Sequence, residues 1–260
     1  MVKRLLRRAP TWLGVSLLLL LGGRPAQAQT AYFNNFDSSA VTAPGVIGTI
    51  GGGGSAQGVQ GYGGLGGGPS GSFGGSFWRN STTGFPPPAT VVTLSNLPSH
   101  TSVSVQALLA IIDSWDGPGA SPGPDSFWIE LDGVTRFSEF FGNQSGGLGQ
   151  TYNTGVLGTP QRQQRGFNTS WLDAAYDLGA NAGLQNIAHS SSTLTLRFFA
   201  NGPGWQGGND ESWAMDNLRI TLNSAGATVP EPASLLLMGP GLALLGFLKR
   251  RWKDGTAETA

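Results

Sequence analysis

Ser102-Val103-Ser104-Val105-Gln106-Ala107-Leu108-Leu109-Ala110-Ile111-Ile112 is the stretch whose reading decides the fold. Val103, Val105, Ala107, Leu109 and Ile111 recur at every second position, and Ser102, Ser104 and Gln106 open the opposite face. A period of two marks a strand with one face on a core. Outward from it the pattern repeats. Thr90–Leu94 is short and β-rich, and Thr193–Phe199 puts Leu194, Leu196 and Phe198 on one face. Ala214–Leu222 puts Ala214, Leu218, Ile220 and Leu222 on one face. Phe127–Leu131 and Thr135–Phe141 flank Asp132-Gly133, a two-residue hairpin signal. One short helix is expected at Ser170–Leu178, with Ser170 as its cap. Short strands separated by Gly/Pro turns predict an all-β, antiparallel β-sandwich, with a jelly roll as the preferred topology. No fixed-period repeat supports a solenoid.

Composition agrees. Charged residues make up 12% of the 260-residue chain and Gly contributes 42 positions, which argues against helical bundles and coiled coils. Hydrophobic residues reach 39%, with 8 Trp and 13 Phe, so wholesale disorder is excluded. The formal net charge of zero is an average over unlike parts. Lys and Arg concentrate at the two ends, and residues 29–228 keep six Arg and no Lys against twelve acids, a formal charge of −6. Such a domain is a poor partner for nucleic acid, which needs clustered cations. There is no Cys, hence no disulfide framework. Residues 45–75 hold 16 Gly in 31 positions and are expected to form a flexible insertion, too poor in large side chains to offset its ordering entropy.

The ends read as targeting segments. Lys3, Arg4, Arg7 and Arg8 precede the apolar run Trp12–Leu21, and Ala26-Gln27-Ala28 follows as a small-residue cleavage site. This is the order of a secretory signal peptide over residues 1–28, a substrate for signal peptidase, with a core too short to span a bilayer. At the other end Pro230-Glu231-Pro232 precedes an apolar stretch over 233–248, then Lys249-Arg250-Arg251. As a helix, these 16 residues would reach ~24 Å against the ~30 Å hydrocarbon core, and Gly239-Pro240-Gly241 interrupts them. The basic cluster would act as the membrane stop and keep residues 253–260 cytoplasmic.

The tail over 229–252 resembles the PEP-CTERM sorting signal of exopolysaccharide-producing bacteria, which has these three parts in this order. The resemblance implies an exosortase-type enzyme that cleaves near Pro230-Glu231-Pro232. It also implies an inner-membrane-tethered precursor whose exported domain, residues 29–228, ends at the cell surface or in the extracellular matrix, associated with exopolysaccharide. A second resemblance links Phe36-Asp37 with Trp213-Ala214-Met215-Asp216-Asn217-Leu218. It is similar to MAM-type and carbohydrate-binding jelly rolls, in which the first and last strands are neighbours and their acids often hold a structural calcium.

Candidate sites follow. By parity Asp216 should point inward with Leu218 and Ile220. A buried carboxylate needs a cation, donors or a proton. Asp37 and Asp216 are therefore candidate Ca²⁺ ligands, the alternative being a carboxylate held by backbone N–H groups or by Arg197. Two acidic loops lie beside Trp: Asp113-Ser114-Trp115-Asp116-Gly117 with Asp125, and Gly207-Gly208-Asn209-Asp210-Glu211. Trp115, Asp116, Trp205 and Asn209 are candidate glycan contacts, with the rings as stacking platforms. The alternative is turn chemistry with Trp capping the core. Enzyme signatures are weak. Two histidines cannot build a three-His zinc site, no nucleophile elbow occurs, and Glu130, Asp132 and Glu139 would have to supply any glycosidase pair. The expectation is a non-enzymatic, exported surface or matrix protein. A calcium-stabilised carbohydrate-binding module is the alternative, and a glycoside-active enzyme the remote third.

Overall fold

A computed structural model describes residues 28–144, 149–159 and 161–224. The signal-peptide residues 1–27, the sorting motif Pro230-Glu231-Pro232, the apolar stretch 233–248 and Lys249-Arg250-Arg251 lie outside the described residues. Among the described residues, no helix is long and apolar enough to cross a membrane.

The described residues form sixteen strands: β1 Ala28–Asn34, β2 Val41–Thr42, β3 Ile47–Gly52, β4 Ser55–Gly58, β5 Gly66–Gly68, β6 Gly71–Ser72, β7 Ser76–Asn80 and β8 Thr90–Ser95, followed by β9 Ser102–Asp113, β10 Ser126–Leu131, β11 Val134–Phe140, β12 Val156–Leu157, β13 Ala174–Asp177, β14 Ile187–Ala188, β15 Leu194–Asn201 and β16 Glu211–Asn223. The larger sheet runs β12-β13-β9-β16-β1-β2, with β14 on β9 and the β7–β4 pair on β16. The smaller runs β11-β10-β15-β8-β3, and β5 and β6 form a separate hairpin. These strand pairings are antiparallel. From β7 to β16 the chain passes between the two sheets at six of nine steps, which makes the sandwich jelly-roll-like. First and last strands pair, Asn34 opposite Leu218 and Ala28 opposite Asn223.

The core between the sheets follows the expected parities. Val103, Val105, Ala107, Leu109 and Ile111 of β9 meet Leu194, Leu196 and Phe198 of β15, and Phe127 packs its ring on Trp213 with centroids 4.9 Å apart. The Asp132-Gly133 hairpin forms as read, with φ +49° and +77° and Leu131 opposite Val134.

Three expectations are corrected. The helix expected at Ser170–Leu178 is absent. Ala174–Asp177 forms β13 against Leu108–Ile111, and Ser170 N–H bonds back to Asn168 Oδ1 in a turn. Pairing with β9 buries all four β13 residues, and tertiary burial overrides local helix propensity. Second, the parity of β16 breaks. Asp216 pairs with Leu108, but the next pair is Arg219 with Gln106, so one extra residue is inserted. Asn217 takes φ +51°, and this β-bulge re-phases the strand. Trp213, Met215, Leu218, Ile220 and Leu222 face the main core, while Ala214 faces the other side. Asp216, two residues on, shares Ala214's side. The bulge is also where the edge of β16 changes neighbour, from β7 before it to β1 after it.

Third, the Gly-rich stretch 45–75 is not a loose excursion. It contributes β3 to the smaller sheet, β4 to the larger one, and the β5–β6 hairpin. Val46 and Ile50 join the main core, and the large side chains after β4 land on one surface. Val59, Tyr62 and Phe73, with Phe77 of β7, cover the outer face of the larger sheet over Leu108, Ala110, Ile112, Ala175 and Ala214. The alanines leave room for rings: Tyr62 lies 5.5 Å from Phe73 and 5.9 Å from Phe77, and its hydroxyl donates to Ile111 O at 3.2 Å. Burying each such side chain stabilises by roughly 1.5–3 kcal/mol, which adds to the strand pairing in opposing the ordering entropy. The second half of β9 is therefore buried on both faces.

Candidate functional site

Where β7, β9 and β16 meet the loops at one end of the sandwich, a cleft of about 510 Å³ opens. β9 ends there in Asp113 (φ +69°) and β7 supplies Arg79, with Gln60 on one wall. The loop before β13 contributes Phe167, Asn168 and Thr169, and the turn before β16 contributes Asn209. Arg79 is fixed from several sides. Its Nε donates to Ser212 Oγ at 2.9 Å, its Nη2 to Gly208 O at 3.4 Å, and its guanidinium lies 4.4 Å above the Phe167 ring. Asp113 is fully buried as a residue. Its Oδ1 accepts from Asn168 N–H at 2.9 Å, and its Oδ2 has no hydrogen bond, with Arg79 Nη2 3.9 Å away. Burial raises its carboxyl to about 6, opposed by the Asn168 hydrogen bond and by Arg79. Asn168 Nδ2 donates to Asn209 O at 3.0 Å and so joins two walls.

A smaller hollow of about 230 Å³ shares Asp113 and is bordered by Asn143, Gln144 and Trp171. Trp171 is 41% exposed, a large aromatic open to solvent beside a polar cleft.

The candidate platforms Trp115 and Trp205 are corrected. Both are buried and packed on each other at 5.3 Å, tilted by 71°. Trp115 Nε1 donates to Ser212 O at 2.7 Å and Trp205 Nε1 to Thr82 O at 3.2 Å. They cap the end of the core, the alternative held open above, and a covered ring has no face for a sugar. Asn209 does border the cleft. Asp116 joins a different group. Asp116, Asp125 and Glu211 are buried, with one oxygen from each within 4.8 Å of the others. Asp125 Oδ2 accepts from Asp116 N–H at 2.7 Å, Glu211 Oε2 from Gln206 N–H at 2.6 Å, and Asp116 Oδ1 from Gln144 Nε2. Asp125 Oδ1 and Glu211 Oε1 meet no N–H or hydroxyl donor, and the two carboxyls can hydrogen-bond each other only when one of them holds a proton. Burial first, and the neighbouring carboxylates after it, push the Asp125 and Glu211 carboxyls upward. The two acidic loops of the sequence are thus brought together, and Ser114 N–H and Oγ bond Asp210 O at 2.8 and 2.9 Å.

Asp37 and Asp216 also come close enough for the Asp37 charge to act on Asp216. Asp216 does not point into the sandwich as expected, because the bulge at Asn217 turns it to the outer face. All four oxygens of this pair meet donors. Asp216 takes Gly74 N–H (3.1 Å) and Asn217 N–H (2.6 Å), and Asp37 takes Ser76 N–H (2.5 Å) and Asn35 Nδ2 (3.2 Å). Together they clamp Gly74-Gly75-Ser76. Gly75 is required there: it has φ +53°, and a Cβ would fall 1.9 Å from Asp37 Oδ1. Arg197 is not the partner of Asp216 but pairs with Glu130 at 2.5 Å. Asp132 Oδ1 accepts from Thr195 N–H and Glu139 Oε2 from the Thr151 hydroxyl, so these acids hold the smaller sheet and its connections.

Sequence reasoning missed Arg79, Phe167, Asn168 and Trp171. Trp171 carried a signal, since Asn168-Thr169-Ser170-Trp171 is a polar turn with one large aromatic, but the expected helix absorbed it.

No protein-family model and no curated protein matches the sequence. Among solved structures, the chain is similar to the CBM22-1 xylan-binding domain from Paenibacillus barcinonensis Xyn10C. Identity is 11% and the TM-score 0.32, over 79% of this chain and 100% of that one. It is also similar to the CBM22-1–GH10 modules of Clostridium thermocellum endo-1,4-beta-D-xylanase 10B complexed with xylohexaose, at 9% identity and a TM-score of 0.31, over 77% of this chain and 29% of that one. Values this low bear on neither fold nor ligand, and the jelly roll stands on its own strand order.

Proposed function

We propose that the domain binds a polysaccharide without cleaving it, in the cleft bordered by Asp113, Arg79, Asn168 and Asn209, with Trp171 on the smaller hollow that shares Asp113. The observation that carries this reading is the pairing of a fixed polar cleft with an exposed indole beside it. A sugar ring has an apolar face that stacks on an aromatic side chain and a rim of hydroxyls that need donors and acceptors together. The guanidinium of Arg79, the amides of Asn168 and Asn209 and the hydroxyl of Thr169 supply both. Among the described residues Asp113 is the one carboxylate bordering the larger cleft, whereas glycoside hydrolysis calls for two flanking the bond.

In this reading the two ends deliver the module. The N-terminal segment directs export and signal peptidase processing, and the Pro-Glu-Pro tail brings an exosortase-type enzyme. The product is a bacterial surface or matrix protein held among exopolysaccharide.

The test is binding of a glycan panel that includes the host's own exopolysaccharide. Trp171→Ala should weaken binding roughly tenfold, about 1.4 kcal/mol. Absence of binding, an unchanged Trp171→Ala variant, or release of reducing ends would overturn the reading. Mass spectrometry of the mature protein addresses sorting independently. A start near Gln29 and no peptide beyond about Ala233 are expected, and a mature form retaining Phe247–Lys253 would leave only an anchor.

A further inference from the structure

We infer that Asp116, Asp125 and Glu211 hold a calcium ion that ties the loop 113–125 to the loop 204–211. The cluster alone would not carry this. The second observation is that Asp125 Oδ1 and Glu211 Oε1, on fully buried residues, receive no hydrogen bond from outside the cluster and lie in it with Asp116, where they could bond each other only if one carboxyl kept a proton. A buried carboxylate oxygen without a donor is costly, and carboxylates this close repel. The group that acts on all three is again an acid, Asp210. The other oxygens of Asp125 and Glu211 are fixed by backbone N–H groups, so the free ones are aimed rather than mobile.

The donor set selects the ion. All three ligands are hard oxygens, with no His or Cys among them. No two of these oxygens are further apart than 4.8 Å, about the span of two ligands on opposite sides of Ca²⁺ at ~2.4 Å each. Mg²⁺ sheds its water shell reluctantly and is poorly suited to so buried a site. Water and loop carbonyls would complete the 6–8 oxygens that calcium takes.

The location gives the ion a task. Asp113 precedes Asp116 by three residues and Asn209 precedes Glu211 by two, and both border the cleft. An ion at the triad would fix the spacing between those walls. Calcium binding here does not rest on the polysaccharide reading, and its test needs no glycan.

Calcium chloride is titrated into the chelator-treated full chain in detergent, followed by calorimetry and by tryptophan fluorescence. Saturable binding is expected, with a dissociation constant at or below about 1 mM, and a higher melting temperature. Magnesium at equal concentration should give a smaller rise. Glu211→Gln and Asp125→Asn should each weaken calcium binding roughly tenfold or more. In chelator, each should melt at or above the parent, because a repulsion is removed. That last readout separates a lost ligand from a misfolded variant. No saturable binding would overturn the inference, as would binding that both variants leave unchanged, or variants that melt well below the parent in chelator. If calcium binds as expected and no glycan does, the polysaccharide reading fails alone.

Discussion

The two ends of β16 treat their acids differently. At the bulge, Asp216 and its neighbour Asp37 give every oxygen to a donor, most of them backbone N–H groups around the Gly74–Ser76 segment. At the start of the strand, Glu211 meets Asp125 and Asp116, and two oxygens meet no donor from outside the cluster. Both groups are rich in negative charge with no ion pair. The first is complete as a hydrogen-bonded unit, and the second becomes complete with a cation. A carboxylate's position in a strand therefore says little about its role. What its oxygens touch says more.

The largest effect that would sharpen this contrast is at Asp216. Asp216→Ala leaves Gly74 N–H and Asn217 N–H without their acceptor, and loosens the segment that leads into β7. Each N–H left without its acceptor costs about 1–3 kcal/mol, so a loss of about 2–6 kcal/mol is expected. Urea unfolding should report it equally with calcium and with chelator. A loss seen only with calcium would move the ion to the Asp37–Asp216 pair, which the first-strand, last-strand resemblance had favoured. Retention of the calcium response in Asp216→Asn is the companion result.

The next effect is on pH. Burial, with the Asp37 charge adding to it, raises the Asp216 carboxyl to about 7 from 3.8, against the pull of its two N–H donors. The folded state then holds a proton that the unfolded state has released between those values. This contribution to stability is complete below about pH 4 and is lost as pH rises through about 7. The slope is at most ~1.4 kcal/mol per pH unit within that window. Unfolding midpoints of the parent and Asp216→Asn, compared from pH 5 to 8 in chelator, should diverge, the variant having the flatter profile. Parallel profiles would mean that the N–H donors hold the carboxylate ionised throughout.

Much of this architecture was legible in the sequence where the pattern is local. The inward face of β9, the face of β15 and the Asp132-Gly133 turn follow from side-chain alternation and from the positive φ that Asp-Gly tolerates. The bulge at Asn217 was not legible, because alternation is counted on an unbroken strand and one inserted residue reverses it. The second apolar layer was hidden for another reason. Glycine-rich composition suggests disorder when averaged, yet Val59, Tyr62 and Phe73 are enough when they fall on one surface of small residues. Buried Trp115 and exposed Trp171 look alike in sequence, since each sits in a polar turn. The acid triad needed the fold itself, because nothing local joins Asp116 to Glu211.

The smallest effect concerns a third kind of acid, Glu130, which meets a cation at the surface. Arg197 Nη1 lies 2.5 Å from Glu130 Oε2 across the β10–β15 pair, with the arginine side chain 46% exposed. Water screens this pair, and holding two long side chains in register opposes it entropically, so measured couplings are typically ~0.2–1 kcal/mol. Arg197 also lies 5.2 Å from the centre of the Phe199 ring, a contact that persists without Glu130. A double-mutant cycle of Glu130→Ala and Arg197→Ala should therefore give a coupling below about 1 kcal/mol that shrinks further in high salt. The contrast with Asp216 is the point of the measurement. A carboxylate whose positively charged partner is open to water should matter less than a buried one with only backbone N–H groups, because desolvation decides how much each contact is worth. A coupling above about 2 kcal/mol would reverse that order and make the surface of the smaller sheet an electrostatically organised face.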